Sequence, residues 1–126
     1  MNSTSREKVV DLKLARTLKT LGFNYPTDTY QVDADNGAIV KHDSYFAHNL
    51  NPERVALPTY ALVIQWLAEE KNIDVVVLPH WQEEGREYNI IIYTPDDPDG
   101  LEGNEYFADR DDALLAGINE ALEYVW

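Results

Sequence analysis

The chain begins with a stretch of helical periodicity. Its apolar positions follow one stripe, one turn apart: Val10, Leu14, Leu18 and Leu21. Thr4 followed by Glu7 fits a capping box, and Gly22 fits a glycine stop. We therefore predict a first helix over residues 5–21 with one buried face, preceded by a disordered tail of residues 1–4.

Two further stretches predict helices. Residues 59–71 follow Pro58 and are apolar around most of the helix circumference. This pattern indicates burial on more than one side, either between a sheet and another helix or at a subunit interface. The third helix is predicted from Arg110 to about residue 125, because Asp109 can cap it and an apolar stripe follows.

Strand patterns lie between these helices. Alternation over residues 30–41 around Asn36-Gly37 predicts a hairpin, since Asn-Gly adopts the positive backbone dihedral angles of a tight primed turn. The β-branched runs 75–78 and 88–94 predict a second hairpin. Residues 42–57 lack clear periodicity and are interpreted as a long connection.

The predicted order is helix, hairpin, helix, hairpin, helix. It favours an α+β fold in which a small antiparallel sheet of about four strands packs its helices on one face. With 126 residues, 44% of them hydrophobic, we expect a single domain over residues 1–126.

Charge is distributed unevenly. The formal net charge is −13, and residues 83–126 hold 13 acidic and 2 basic residues, against 10 acidic and 8 basic in residues 1–82. Such a composition excludes general binding to nucleic-acid phosphates or anionic lipid, because both require basic surfaces. We expect neither direct nucleic-acid binding nor membrane association.

The densest acidic run, residues 95–112, is interpreted as a loop with interleaved aromatic residues. It offers a docking surface for a basic protein, or a mimic of nucleic-acid charge, while its plainer explanation is a solvated loop. The candidate partner-binding residues are Asp96, Asp97, Asp99, Glu102, Glu105, Tyr106 and Phe107.

Four other residues are candidates for ligand or interface contacts. His80 and Trp81 end a predicted strand, where a titratable ring beside an indole can bind a small planar ligand or simply cover the core. Trp66 and the C-terminal Trp126 are candidates for a homo-oligomer contact.

Recognisable catalytic and metal sites are missing from the sequence. Cysteine is absent, which excludes disulfides and thiolate chemistry. The Asp-rich turns at 33–37 and 96–100 lack the ligands of a calcium loop at the required positions, and the three histidines lack zinc-ligand spacing. No nucleophile elbow or phosphate-binding glycine loop occurs. We expect no metal and no cofactor.

Targeting signals are also missing. The N-terminal residues lack the apolar core of a signal peptide, and no apolar run approaches the roughly 20 residues of a membrane-spanning helix. We expect a soluble, cytoplasmic protein.

Several segments resemble a known family. They are Pro58-Thr59-Tyr60-Ala61, residues 66–70, 73–77 and 88–93, Asp112-Ala113-Leu114 and residues 118–122. In these core patterns the chain, from about Leu14 to Val125, is similar to a family of small uncharacterised proteins encoded by phages, prophages and mobile elements of gut Bacteroidetes. The resemblance implies a bacterial or phage cytosolic setting and supplies no catalytic residue.

We therefore expect a phage- or mobile-element-associated accessory protein that acts by protein–protein binding and not by catalysis, and that can form a homo-oligomer. Two alternatives stay open. One is an acidic decoy that mimics nucleic acid toward a basic host protein. The other is an enzyme without a recognisable motif.

Overall fold

The computed structural model describes residues 8–34, 36–103 and 105–125. Within them the chain forms an α+β fold of three α-helices and six strands, arranged in two antiparallel sheets. The chain divides into two compact units, Met1–Leu62 and Val63–Trp126, which are described in turn. No helix of the described part is both long enough and apolar enough to cross a membrane.

The first unit contains one helix and one sheet. Helix α1 (Leu12–Thr20) precedes strands β1 (Thr27–Val32), β2 (Ile39–Phe46) and β3 (Arg54–Ala56), and a short 3-10 helix (His48–Leu50) precedes β3. The strand order is β2-β1-β3. Helix α1 packs against β3. Among the fully buried apolar side chains of this core are Leu18, Phe23, Val10 and Val55.

Helix α1 begins later than its apolar stripe predicts. Asp11 is the N-cap, and its Oδ1 accepts a hydrogen bond from the Leu14 backbone N–H at 2.9 Å. Val10 is extended before it, donating its backbone N–H to Pro58 O at 3.0 Å. The start predicted at residue 5 is therefore wrong, and the predicted cap and tail, residues 1–7, lie outside the described residues.

The predicted glycine stop of α1 is confirmed. Gly22 has φ +96°, and the Phe23 backbone N–H donates to Leu18 O at 2.9 Å. This is the hydrogen bond of a Schellman motif, which requires a residue with positive φ at this position.

The connection predicted over residues 42–57 is wrong. Strand β2 continues to Phe46, and β3 pairs with β1 at Tyr30↔Ala56. Between Thr27 and Thr29 the partner on β2 moves from Phe46 to Lys41, so residues 42–45 form a wide irregularity opposite a single residue of β1. Irregular pairing of this kind hides strand periodicity in the sequence.

The second unit contains most of helix α2 (Tyr60–Lys71), strands β4 (Asp74–Gln82), β5 (Gly85–Thr94) and β6 (Asp97–Glu102), and helix α3 (Arg110–Leu122). The strand order is β4-β5-β6, and α3 packs against β4 and β5. Gly117 permits this close approach, because a Cβ there would lie 2.6 Å from Val75 Cγ1.

The predicted cap of α3 is confirmed. The Oδ1 of Asp109 accepts a hydrogen bond from the Asp111 backbone N–H at 2.7 Å. The helix ends at Leu122, before the predicted residue 125.

The predicted single sheet and the predicted order of elements are both wrong. The structure has two three-stranded sheets instead of one sheet of about four strands. Each sheet contains one predicted hairpin and one strand that was not predicted, β3 in the first and β6 in the second. Strand β6 reads Asp-Pro-Asp-Gly-Leu-Glu, a composition that disfavours strands, and its pairing with β5 holds it extended.

Candidate partner-binding face

The second sheet presents two different faces. Val75, Ile90 and Ile92 are buried on the side that α3 covers. Because successive side chains of a strand alternate, their neighbours point to the other side. We call that side the acidic face, and it comprises Asp74, Val76, Leu78, His80, Glu87, Asn89, Ile91, Tyr93, Gly100, Glu102 and Tyr106.

Strand register brings these residues together. Val76 pairs with Ile91, and Ile91 pairs in turn with Glu102 across β4, β5 and β6. A Cβ on Gly100 would lie 2.7 Å from Ile91 Cγ2 and 2.8 Å from Tyr93 Cε1. The bare glycine therefore lets two large side chains lie directly against β6, and they form the apolar centre of the acidic face.

An aromatic pair marks one end of this face. The rings of His80 and Tyr106 meet edge to face, with centroids 5.0 Å apart and an interplanar angle of 76°. Tyr106 is held beside β5, because the neighbouring Phe107 exchanges two backbone hydrogen bonds with Tyr88, each 2.8 Å. Tyr106 keeps 49% of its surface exposed, so an aromatic anchor remains available to a partner.

The rim of the acidic face carries carboxylates. Asp74, Glu87 and Glu102 are exposed, and no lysine or arginine belongs to the face. The Arg16–Asp33 ion pair, with Nε and Oδ1 2.9 Å apart, lies in the other unit. The apolar centre is partly exposed, although Asn89 within the face is fully buried, and the acidic rim complements the charge of a basic partner.

The predicted acidic segment does not converge on one surface. Glu102 pairs with Ile91 and lies on the acidic face, whereas Asp97 pairs with Thr94 and points to the side of α3. Asp99 is exposed and lies in the irregular stretch of β6 next to Gly100, which has a positive φ. Asp96 lies in the turn between β5 and β6. Glu105 and Phe107 line a cavity of about 220 Å³ between β5 and α3.

The structure also provides a structural role for this charge. Strand β6 is an edge strand, and the interpretation of residues 97–102 as a loop is wrong. Charged side chains and proline on an edge strand prevent pairing with a further chain. Asp97, Pro98 and Asp99 fit that role on the outer strand of this sheet.

The predicted aromatic candidates also separate. His80 and Trp81 are successive residues of β4 and point to opposite sides, so they do not form one platform. Trp81 is 76% exposed, and the Arg86 guanidinium carbon lies 4.9 Å from its ring centroid. Trp66 is buried, with 1% of its surface exposed, and Trp126 lies outside the described residues.

Sequence reasoning missed a ring cluster in the first unit. His48 is buried, and its ring centroid lies 4.5 Å from that of Tyr30 and 5.7 Å from that of His42. Phe46 contacts both histidine rings, and the Arg54 guanidinium carbon lies 4.4 Å from the Tyr30 centroid. The signal in the sequence is weak, because an irregular strand pairing brings His42 to His48.

Burial has the largest effect on the pKa of His48. It lowers the pKa of His48, as do the nearby charge of Arg54 and the neighbouring His42, while the Thr27 backbone opposes the shift. Among the described residues, no group of three or more histidine or carboxylate side chains is arranged to hold a metal ion.

Comparison with known proteins leaves the site to be judged on its own geometry. No family model, curated protein or solved structure matches this chain.

Proposed function

We propose that this chain is a protein-binding module that docks a basic protein segment on the acidic face of its second sheet, and that it acts by binding and not by catalysis. The observation that carries the proposal is the composition of this face. Its centre is apolar and partly exposed, its rim holds Asp74, Glu87 and Glu102, and it includes no cationic side chain.

The apolar centre and the acidic rim of the face contribute differently to binding. Buried aromatic and apolar contacts supply most of the affinity of protein interfaces, so Leu78, Tyr93 and Tyr106 are the expected anchors. Rim charges mainly accelerate association and select the sign of the partner's charge. A segment that alternates apolar and basic side chains satisfies both demands.

The cellular setting of this activity is part of the proposal. The resemblance of the core segments to phage and mobile-element proteins supports a cytoplasmic accessory protein of bacterial or phage origin. The concentration of acidic residues after position 82 supports a related proposal, in which the basic partner is a host protein that normally binds nucleic acid.

The test uses a defined probe. A fluorescent peptide of alternating lysine and leucine is titrated with the full-length protein, and binding is followed by fluorescence anisotropy at low and high salt. We expect saturable binding that weakens with salt, and no binding of the matching glutamate–leucine peptide. Equal binding of both peptides, or of neither, contradicts the proposal.

A matched pair of variants locates the binding. Glu102→Gln and Asp97→Asn each neutralise one carboxylate of β6, on opposite sides of the strand. Docking on the acidic face predicts slower association for Glu102→Gln alone. A decoy that uses the total charge predicts equal losses for both, and duplex DNA would then compete with the protein for its natural partner.

A further inference from the structure

A second candidate binding site lies in the first unit, apart from the acidic face. An open cavity of about 450 Å³ is lined by Phe46, His48, Leu50, Asn51 and Arg54, among others. Phe46 and Leu50 are exposed at this cavity, with 52% and 74% of their surfaces accessible. It therefore combines apolar walls with a guanidinium and an imidazole.

The guanidinium of Arg54 is positioned by rings. Its carbon lies 4.4 Å from the centroid of Tyr30, and its Nη1 lies 3.5 Å from Nδ1 of His48. No carboxylate pairs with Arg54 within the described residues. A planar guanidinium stacked on an aromatic ring keeps N–H groups at its edge for a carboxylate or phosphate.

A lysine adds positive charge beside the same loop. Lys19 Nζ donates hydrogen bonds to the backbone oxygens of Asn51 at 3.1 Å and Arg54 at 2.7 Å. Because these acceptors are neutral, its charge is not cancelled there. Lys19 and Arg54 therefore place two cations at this loop, which also carries the exposed Glu53.

His48 supplies a group whose charge can respond to a ligand. It is 2% exposed, and its Nε2 makes no hydrogen bond of good geometry within the described structure. Burial foremost, and then Arg54 and His42, lower its pKa. An anion bound at Arg54 would offset the repulsion between Arg54 and a protonated His48, so anion binding and protonation of His48 should favour each other.

From this arrangement we infer that the cavity binds a small organic anion, with its carboxylate or phosphate on Arg54 and a planar apolar group against Phe46 and Leu50. The charged end provides orientation, and the exposed side chains provide the apolar contact that such sites require.

The test uses benzoate, phenyl phosphate and inorganic phosphate as probes of the full-length protein. Backbone ¹H–¹⁵N resonances are followed during titration. We expect saturable shifts of Phe46, Leu50 and Arg54 with the two aromatic anions, and weaker binding of inorganic phosphate. The stronger of the two aromatic probes identifies the preferred anion. The absence of saturable shifts with both overturns the inference.

Variants separate this site from a general charge effect. Arg54→Gln should weaken binding of the aromatic anions by about 10-fold or more, because a charge-assisted hydrogen-bond pair is lost. The control, Arg16→Gln, removes an exposed arginine of the same unit that already pairs with Asp33, and should leave affinity unchanged. Equal losses in both variants contradict the inference.

A third variant keeps the test decisive if Arg54→Gln does not fold. Leu50→Ala shortens a largely exposed side chain and should weaken benzoate while leaving inorganic phosphate unchanged. Unchanged benzoate affinity overturns the inferred apolar contact. Tighter binding of benzoate, which stays ionised throughout, is expected at pH 6 than at pH 8, and a reversed dependence opposes the role given to His48.

Discussion

His42 of β2 and His48 of the 3-10 helix stack ring against ring, with centroids 5.7 Å apart and planes inclined by only 14°. Tyr30 and Phe46 border the same pair, and Arg54 lies beside His48. The arrangement is favourable while the His48 imidazole is neutral, because a proton on it would place a charge in a buried position next to a guanidinium.

Acid should therefore destabilise the first unit. The pKa of His48 is lowered in the folded state below the usual value of 6.5, so the unfolded chain binds this proton first as the pH falls. Stability is lost progressively from above pH 6.5 down to the lowered pKa. Urea denaturation between pH 8 and pH 5 measures the loss. The variant His48→Phe keeps a ring without the titration, and an unchanged pH dependence in it would show that His48 is not responsible.

Because Gly117 is closely packed, we expect that adding a single methyl group there lowers the free energy of unfolding. A Cβ there lies 2.6 Å from Val75 Cγ1, so Gly117→Ala forces α3 away from β4 or displaces Val75. We expect a loss of about 1–3 kcal/mol in the free energy of unfolding. Asn119→Ala, at an exposed position of the same helix, is the control and should change stability by less than about 0.5 kcal/mol. Equal stability of Gly117→Ala and the parent would contradict this packing.

The cap of α3 is testable in the same way. Asp109→Ala removes the carboxylate that accepts from the Asp111 N–H, and should cost about 1 kcal/mol in thermal or chemical unfolding. Asp112→Ala removes a charge in the same first turn without removing the cap and should cost less. An equal loss in the two variants would mean that charge, and not the cap hydrogen bond, stabilises the helix start.

The protective role of β6 predicts a change in solution behaviour. Replacing Pro98 and Asp99 by valine makes this edge strand apolar and competent to pair, so we expect concentration-dependent self-association. Multi-angle light scattering measures it. The control replaces Glu83 and Glu84 by valine at the β4–β5 hairpin, which removes more charge without altering an edge. If only the Glu83/Glu84 control variant self-associates, total charge and not the edge strand β6 keeps the protein from associating.

Local signals predicted some elements well. Asp109 and Gly22 act through their own backbone neighbourhood, and the structure shows a cap and a Schellman stop at these two residues. The tight primed turn predicted at Asn36-Gly37 is wrong, because only Asn36 has a positive φ and residues 33–38 separate β1 from β2. Hydrogen bonds between residues close together in the chain can be predicted from the sequence, because they require no partner from a distant part of the chain.

Tertiary relationships were not predictable in this way. Strand β6 exists because β5 provides a pairing edge for Asp97–Glu102, and its own composition argues against a strand. The partition of the acidic residues between two sides follows from that pairing. Likewise, the stack of His42 on His48 depends on the irregular register between β1 and β2, which no spacing in the sequence reveals.

The central claim, that the acidic face binds a basic segment, is tested most directly by mapping the bound lysine–leucine peptide with ¹H–¹⁵N resonances of the full-length protein. Docking on this face predicts saturable shifts at Leu78, Ile91, Glu102 and Tyr106, with Asp97 little affected. Shifts centred on Asp97, Asp99 and Glu105, or no saturable shifts, would contradict it.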